Sequence, residues 1–548
     1  MAARLREKEA VLDGVERKRL EQKAAELGAF QAREDSPEAL KTIPHLFRED
    51  LKAEIEPVPT KIRDAAGIPC MAHPLFTNGI SYGDLAFPVD VLEPEDYPWL
   101  PFFARAVVSM GLPGMDYGAV SSLLARTAGD FCALLETGSA APSLAPERSA
   151  PARGALPRDG EHEPWTSFIA RDWIIYRIKA LDEKFPEALD LARRLITGAD
   201  FSDLRRLRDL VMEMKNDGDA SLAPSGHSYA SGRSGRSFSR SRAVEELWNG
   251  ISQIPFTHRL AAMDMGEVRD RMIRLREGLL RGGLVINVTA GENVLEGAVR
   301  AVEGFAPLGA PGPANPACVG AERFVSLLGR DGSSGDRAEV YASPSLQVGF
   351  AAMSLPAAPY GSPEQAAELV LAHELSTGAL WESIRMMGGA YGAFAHPDNL
   401  EGVFSFSTYR DPDPLRSLAA FPEILVKRGS ASVDGDTLEK TIIGAFARET
   451  RPQTPAGRGF SEFLRRLYGI RDSSRLAKLK YITALQDKDT RAAAGRLAAA
   501  AQAPGTGGIR GADAPARPEG AFPVIIAGKA AAAGAAKKLG VEVRELPV

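Results

Sequence analysis

Between Ser362 and Tyr409 the chain changes period, and that change limits its folds more than any other stretch. Ser362-Pro363-Glu364-Gln365 reads as a capping box with proline in the first turn. It launches a helix, PEQAAELVLAHEL, that Gly378 interrupts or kinks. Leu380, Ile384 and Met387 continue an i, i+4, i+7 stripe for a core. Gly388 and Gly389 then stop the helix: both can take the left-handed conformation, and both allow another backbone to come close. Beyond them Phe404, Phe406 and Thr408 alternate with Ser405, Ser407 and Tyr409, the period of a half-buried strand.

The same mixture recurs along the 548 residues, which suggests three or four domains' worth of chain. Residues 1–58 read as a charged helical hairpin, its second helix capped at Ser36-Pro37-Glu38 and the region closed by Pro57. A docking element and a solvated helix without further role are both open for it. A first α/β region is expected over 59–282, with a hairpin-type turn at Asn78-Gly79 and a strand WIIYRIKAL entering a helix. Within it, Pro- and Ala-rich residues 139–164 read as a disordered insertion. Helices are expected at 184–197, 201–216 and 236–280. A second α/β region over 283–548 opens with the strand GGLVINVTA, continues with a strand pair turning near Pro344, and ends in strand–helix–strand from FPVIIAG.

Composition narrows function mainly by exclusion. A net charge of −5 and a pI near 6.0 give no electrostatic case for nucleic acid or an anionic membrane. Cys70, Cys132 and Cys318 are too few and too scattered for a disulfide framework or a zinc ribbon. The N-terminus has no apolar signal core, and a cytoplasmic location is the expectation.

Three motifs invite a chemical reading and do not sustain it. His373-Glu374 suggests a zinc protease, but position 377 is Thr and position 370 is Val, so neither the direct nor the inverted histidine spacing is met. Gly226-His227-Ser228-Tyr229-Ala230 resembles a serine-hydrolase elbow but follows a polar stretch, so a loop feeding the next helix is the better reading. The four arginines of SGRSGRSFSRSR read as a solvated helix face. That leaves Arg385 and Tyr391, on either side of the double-glycine turn. Both are hydrogen-bond donors suited to a peptide carbonyl and to an oxyanion; a structural Tyr with an exposed Arg is the alternative.

WESIRMMGGAYGAF followed by FSFSTYRDPDP resembles the C-terminal half of the presequence-protease branch of the pitrilysin/insulinase metallopeptidases. HLFREDL, LFTNGISY and the SGHSYASGR region agree with it, in family order. The resemblance implies an α+β fold, a helical hairpin followed by two homologous α/β sandwich domains with mainly antiparallel sheets and helices on one face. It implies that Arg385 and Tyr391 orient the scissile peptide beside Gly388 and Gly389, which border the substrate. Zinc is expected on a His-x-x-Glu-His motif of the N-terminal half, none on this chain. The sequence starts inside the family's middle hairpin, so the metal-bearing half is expected as a separate chain. The implied role is the substrate-orienting half of a zinc metalloendopeptidase acting on unstructured peptides. The alternatives are a non-catalytic peptide-binding scaffold and a truncated gene fragment.

Overall fold

The computed structural model describes residues 13–31, 33, 35–142, 165–328, 338–503 and 520–548. Most of the expected insertion, from 143 to 164, lies outside the described residues. The chain divides into two units, Met1–Asp50 and Leu51–Val548.

The first unit departs from the expected hairpin. One helix, Gly14–Gln31, has no buried residue, and the second is a single turn, Pro37–Leu40. Ser36 does cap it, its Oγ accepting from the Ala39 amide at 3.2 Å. Pro44 disfavours helical backbone at the residue before it, so the turn cannot lengthen far. Residues from Leu51 onward belong to the second unit, where Leu51, Ala53 and Ile55 pack on a hydrophobic core.

The second unit is α+β and contains two six-stranded sheets. The first uses β1 (Lys61–Ala65), β2 (Ile68–Pro74), β3 (Ile80–Pro88), β4 (Asp130–Glu136), β5 (Trp173–Leu181) and β6 (Val285–Ala290). The second uses β7 (Glu339–Ala342), β8 (Phe350–Pro356), β9 (Gly392–Asp398), β10 (Val403–Tyr409), β11 (Phe522–Ala527) and β12 (Val543–Glu545). Their orders are β1-β2-β6-β3-β5-β4 and β12-β7-β11-β8-β10-β9. Matching β2 through β6 with β7 through β11 makes the orders identical. The pairing senses agree too: β2/β6 and β7/β11 are parallel, and every later neighbour is antiparallel. The outermost strands differ: β1 is an antiparallel hairpin partner of β2, whereas β12 comes parallel to β7 from the C-terminus.

This topology corrects two expectations. The strand at Val285–Ala290 closes the first sheet rather than opening the second region, because it lies between β2 and β3. Phe305, Phe324 and Leu328 still pack in the first core, so the boundary falls after 328 and not at 282. A fully buried apolar strand carries no mark of which sheet it joins. The strands around Pro344 also form, yet β7 and β8 do not pair, since β11 runs between them.

Helices gather on one face of each sheet. In the first, Leu100–Ser109, Phe185–Gly198 and Met265–Arg281 bury their apolar stripes there; in the second, Pro363–Thr377, Pro414–Ser430 and Asp487–Gln502 do. Each opposite face receives a helix from the other half. Phe463 and Leu467 of the helix Pro455–Leu467 pack on Trp165, Phe168 and Trp173 beside the first sheet. A long helix, Leu204–Gly235, lays Leu222 and Ala230 against Phe350, Ala352, Val524 and Ile526 of the second.

The long helix absorbs two segments expected as loop or solvated surface. Gly226 sits on the ring of Phe350, where a Cβ would stand 2.3 Å from Cδ2, so only glycine permits this approach. Tertiary packing thus overrides the weak helix propensity of its Gly- and Ser-rich end. The four arginines from Arg233 to Arg242 are paired rather than solvated, Arg233 and Arg236 buried, Arg240 and Arg242 half-buried. Arg233 bonds both Glu339 oxygens, at 2.6 and 3.2 Å, and Arg236 bonds Glu339 at 2.6 Å. Arg240 pairs with Asp172, Nη1 to Oδ1 at 2.9 Å, and Arg242 with Asp398 at 2.5 Å. Their carboxylate partners lie 68 to 156 residues away in sequence, so local charge spacing could not show them.

Candidate functional site

The helix Pro363–Thr377 begins as expected. Ser362 Oγ accepts from the Gln365 amide at 3.2 Å, and Gln365 Oε1 accepts from the Gly361 amide at 2.7 Å. Gly378 ends it at φ −115°, ψ −104°. The next segment, Trp381–Met386, is a π-helical turn, with the Met387 amide donating to the Glu382 carbonyl five residues back at 3.0 Å. Such turns are rare and concentrate at functional positions. The extra residue shifts the stripe: Leu380 and Ile384 are buried, but Met387 is 70% exposed, against the expectation that it faced the core.

The two glycines serve different ends. Gly389 takes φ +82°, the left-handed conformation expected of both. Gly388 keeps ordinary φ; a Cβ there would lie 2.4 Å from the Ile384 carbonyl oxygen, so its demand is for space. The Gly389 amide donates to the Arg385 carbonyl at 3.0 Å and the Ala390 amide to that of Ile384 at 3.1 Å, which closes the turn.

The YRDP motif holds this corner from the other side. The Tyr391 amide donates to the Tyr409 carbonyl at 3.0 Å. Arg410 takes φ +48°, uncommon for a residue with a side chain and frequent at strained functional sites. Asp411 exchanges two backbone bonds with Gly349, at 2.7 and 2.8 Å, and Asp413 caps the helix Pro414–Ser430.

This backbone brings Arg385 and Tyr391 together. The guanidinium carbon stands 5.7 Å from the centre of the Tyr391 ring, within cation–π range. Arg385 is exposed and Tyr391 is 66% exposed, so both donors face solvent. Between them, Gly388 and Gly389 add no side chain to the turn, while Met386 and Met387 stand exposed on its helical side.

Sequence reasoning missed the rings beside them. Tyr391 meets Tyr409 edge-on at 5.7 Å, Tyr409 meets His227 of the long helix at 5.0 Å, and His227 lies 6.1 Å from Phe394. Phe394 and Tyr409 were legible as same-face residues of a hairpin; His227 was not, because its segment read as loop. Burial holds His227 below the usual imidazole range, so it is neutral near pH 7.

His373 and Glu374 go to structural use. A Cβ on Gly444 would lie 2.0 Å from His373 Nε2, so the imidazole packs on the helix Gly435–Glu449. Glu374 pairs with Arg428, which also reaches Asp487 at 2.8 Å. Among the described residues no three His, Cys, Asp or Glu side chains gather as metal ligands.

Comparison with known proteins yields two family matches. A model of the associated region of peptidase M16, subfamily C, covers residues 1–141 and 166–260, and one described as the PreP C-terminal domain covers 347–501. Presequence protease 1, chloroplastic/mitochondrial, of Arabidopsis thaliana is 28% identical over 468 residues, 85% of this chain and 40% of that protein. The mitochondrial presequence protease of Xenopus laevis is 24% identical over 519 residues, 91% of this chain and 48% of that protein. The chain thus spans less than half the length of these relatives. A conserved protein from Enterococcus faecalis V583 superposes with TM-score 0.57 at 12% identity, over 86% of this chain and 99% of that one. A peptidase M16 inactive domain from Pseudomonas fluorescens does so with TM-score 0.52 at 14% identity, over 86% and 98%. These two likenesses concern the fold.

Proposed function

This chain is a presequence-protease-type member of the peptidase M16 family, matched to the family's C-terminal half, and we propose that it orients unstructured peptides for cleavage by a zinc endopeptidase. The observation that carries the reading is the meeting of two exposed donors, Arg385 and Tyr391, 5.7 Å from guanidinium carbon to ring centre beside the double-glycine turn.

An extended peptide lying along that corner meets the guanidinium and the phenol with its carbonyls. Both donate to the carbonyl oxygen, and both bonds strengthen as that oxygen gains charge on attack. Gly388 and Gly389 let the peptide backbone approach the turn, which any Cβ would obstruct. The aromatic row from Tyr409 to Phe394 gives its side chains a surface to pack on. Zinc supplies a Lewis acid and an acidified water in such enzymes. The described residues of this chain offer it no ligand cluster, so a partner chain or segment bearing the metal-binding half would hold it.

The test is reconstitution with a His-x-x-Glu-His-bearing half and an unstructured fluorogenic peptide. Tyr391→Phe is expected to lower kcat about 100-fold, the scale of losing one oxyanion donor, with the melting temperature unchanged. Unchanged kinetics would remove Tyr391 from the mechanism. Tight peptide binding without turnover in the wild-type assembly would favour a non-catalytic peptide-binding scaffold instead.

A further inference from the structure

Beside the aromatic row lies a cavity of about 500 Å³, within the usual range for ligand sites. The long helix, the helix Arg240–Asn249 and strands β9 and β10 form its walls, and Phe394, His396 and Ser407 line the strand side. It adjoins the corner through the ring contacts of His227, which also lines it.

Its least exposed charge is Glu246, 1% exposed. Oε1 accepts from Ser252, from the amide at 3.3 Å and from Oγ at 2.9 Å, and stands 3.6 Å from Arg233. Oε2 is buried and has no hydrogen-bond partner. It is flanked by two glycines that themselves line the cavity. A Cβ on Gly232 would stand 3.5 Å from Oε2, and one on Gly250 only 1.8 Å. Side chains at those positions would cover the oxygen; glycine at both leaves it facing the cavity wall.

The rest of the lining does not supply the missing donor. Arg242 turns to Asp398, at 2.5 Å. His227 and His396 are kept neutral by burial. Glu245 adds a second carboxylate to the same wall, its Oε1 accepting from Asn249 at 3.0 Å. A buried carboxylate oxygen without a partner costs free energy that an incoming N–H donor recovers, more so when the donor is charged.

We infer that this cavity is a subsite for the side chain of a lysine or arginine in the bound peptide, with Glu246 Oε2 accepting from its charged head. The apolar stem packs on Phe394 and the edge of His227, and the head reaches past Gly232 and Gly250. The inference rests on the reading that peptides cross the Arg385–Tyr391 corner, and it adds a side-chain preference to that reading.

Fluorescence-anisotropy titration of the full-length chain tests it, with unstructured N-acetylated peptides that differ only in carrying lysine, norleucine or glutamate at one position. Acetylation removes the α-amine as a rival cation. The lysine peptide is expected to bind at least tenfold tighter than the norleucine one, and the glutamate peptide weakest. Glu246→Gln should shrink the lysine preference to within twofold. Because Glu246 faces Arg233 and its loss can disturb folding, Gly232→Ala is the second variant: its methyl meets Oε2 at ordinary contact distance inside a helix, where alanine is favoured. It should abolish the preference with melting temperature retained. Equal affinity for lysine and norleucine peptides, no binding of either, or a preference surviving in folded Gly232→Ala would overturn the inference. Equal binding together with Tyr391-dependent turnover in the assembled enzyme sinks the subsite alone. A lysine preference without Tyr391 dependence sinks the corner reading and leaves the subsite standing.

Discussion

The two sheets share one strand order, and each is covered by a helix from the opposite half, yet the surfaces beneath the covers are unlike. Under the long helix the second sheet presents Phe350, Ala352, Val524 and Ile526. Under Pro455–Leu467 the first sheet is apolar only at one end, around Trp173 and Ile175. Its other end is a polar floor of His73, Asp84, Asn287 and Thr289, all buried. His73 Nε2, Asn287 Oδ1 and Thr289 Oγ1 have no protein partner there. Gly459 allows the cover to come down on this floor, since a Cβ would lie 1.9 Å from Thr289 Oγ1.

The buried carboxylates differ in sign. Burial pushes Asp84 up, against the pull of Arg177 and the bond from Asn287. Burial acts the same way on Glu339, but Arg236 and Arg233 override it and hold the carboxyl down at about 2. One topology thus carries opposite electrostatics, because strand order fixes neighbours and not the chemistry they present. The corners diverge as well. Where the second sheet has the π-helical turn, the double glycine and the two donors, the first joins the helix Tyr117–Thr127 to β4 through Ala128 in extended conformation.

The largest expected effect tests the apolar cover. Phe350→Ala should cost about 3–5 kcal/mol, read from urea unfolding, because it hollows the contact with Gly226. A cost near 1 kcal/mol would mean that the long helix is not what holds the second sheet. Next comes Glu339→Gln. The carboxyl falls from 4.5 to about 2 on folding, so its stabilisation is present above pH 4.5 and lost as pH drops toward 2. That shift corresponds to about 3 kcal/mol. The variant should be less stable than wild type at pH 7 and converge with it near pH 2; parallel curves would refute the arginine clamp. Between the corners, Arg126→Ala in the first should leave peptide turnover by the assembled enzyme unchanged, where Arg385→Ala in the second should cost about 100-fold. Equal losses would erase the distinction. The smallest effect is expected for Asp84→Asn, under about 1 kcal/mol at pH 7, since ionising Asp84 already opposes folding. Asp84 stays protonated longer folded than unfolded, so wild type loses stability as pH rises above 3.8, and the variant should lack that slope.

Sequence disclosed local geometry far better than partnership. The capping box at Ser362, the stop at Gly389 and the convergence of Arg385 on Tyr391 all form as residue chemistry suggests. Asn78-Gly79 adopts the left-handed turn its residues favour, at φ +54° and +82°, yet the strands it joins do not pair. β6, some 200 residues later, lies between them, and β11 separates β7 and β8 in the same way. A turn signal encodes a bend and not the strand that later fills it. The buried arginines escaped for a like reason, since Glu339 lies more than 100 residues from Arg233. The family match breaks between 141 and 166, where the first sheet joins β4 to β5. The second sheet crosses the equivalent gap in four residues, Asn399 to Gly402.

The extra residue in the turn at Trp381–Met386 makes the donor pair sensitive to length as much as to identity. In a helix each residue advances the path by about 100°, so removing one residue from this turn, Glu382 for instance, is a rotation rather than a truncation. A chain shortened that way could keep both glycines, the phenol and the guanidinium, and still swing the guanidinium around the axis away from Tyr391. Homologous chains that keep these four groups but are one residue apart in length here would therefore differ in whether the two donors ever face the same carbonyl.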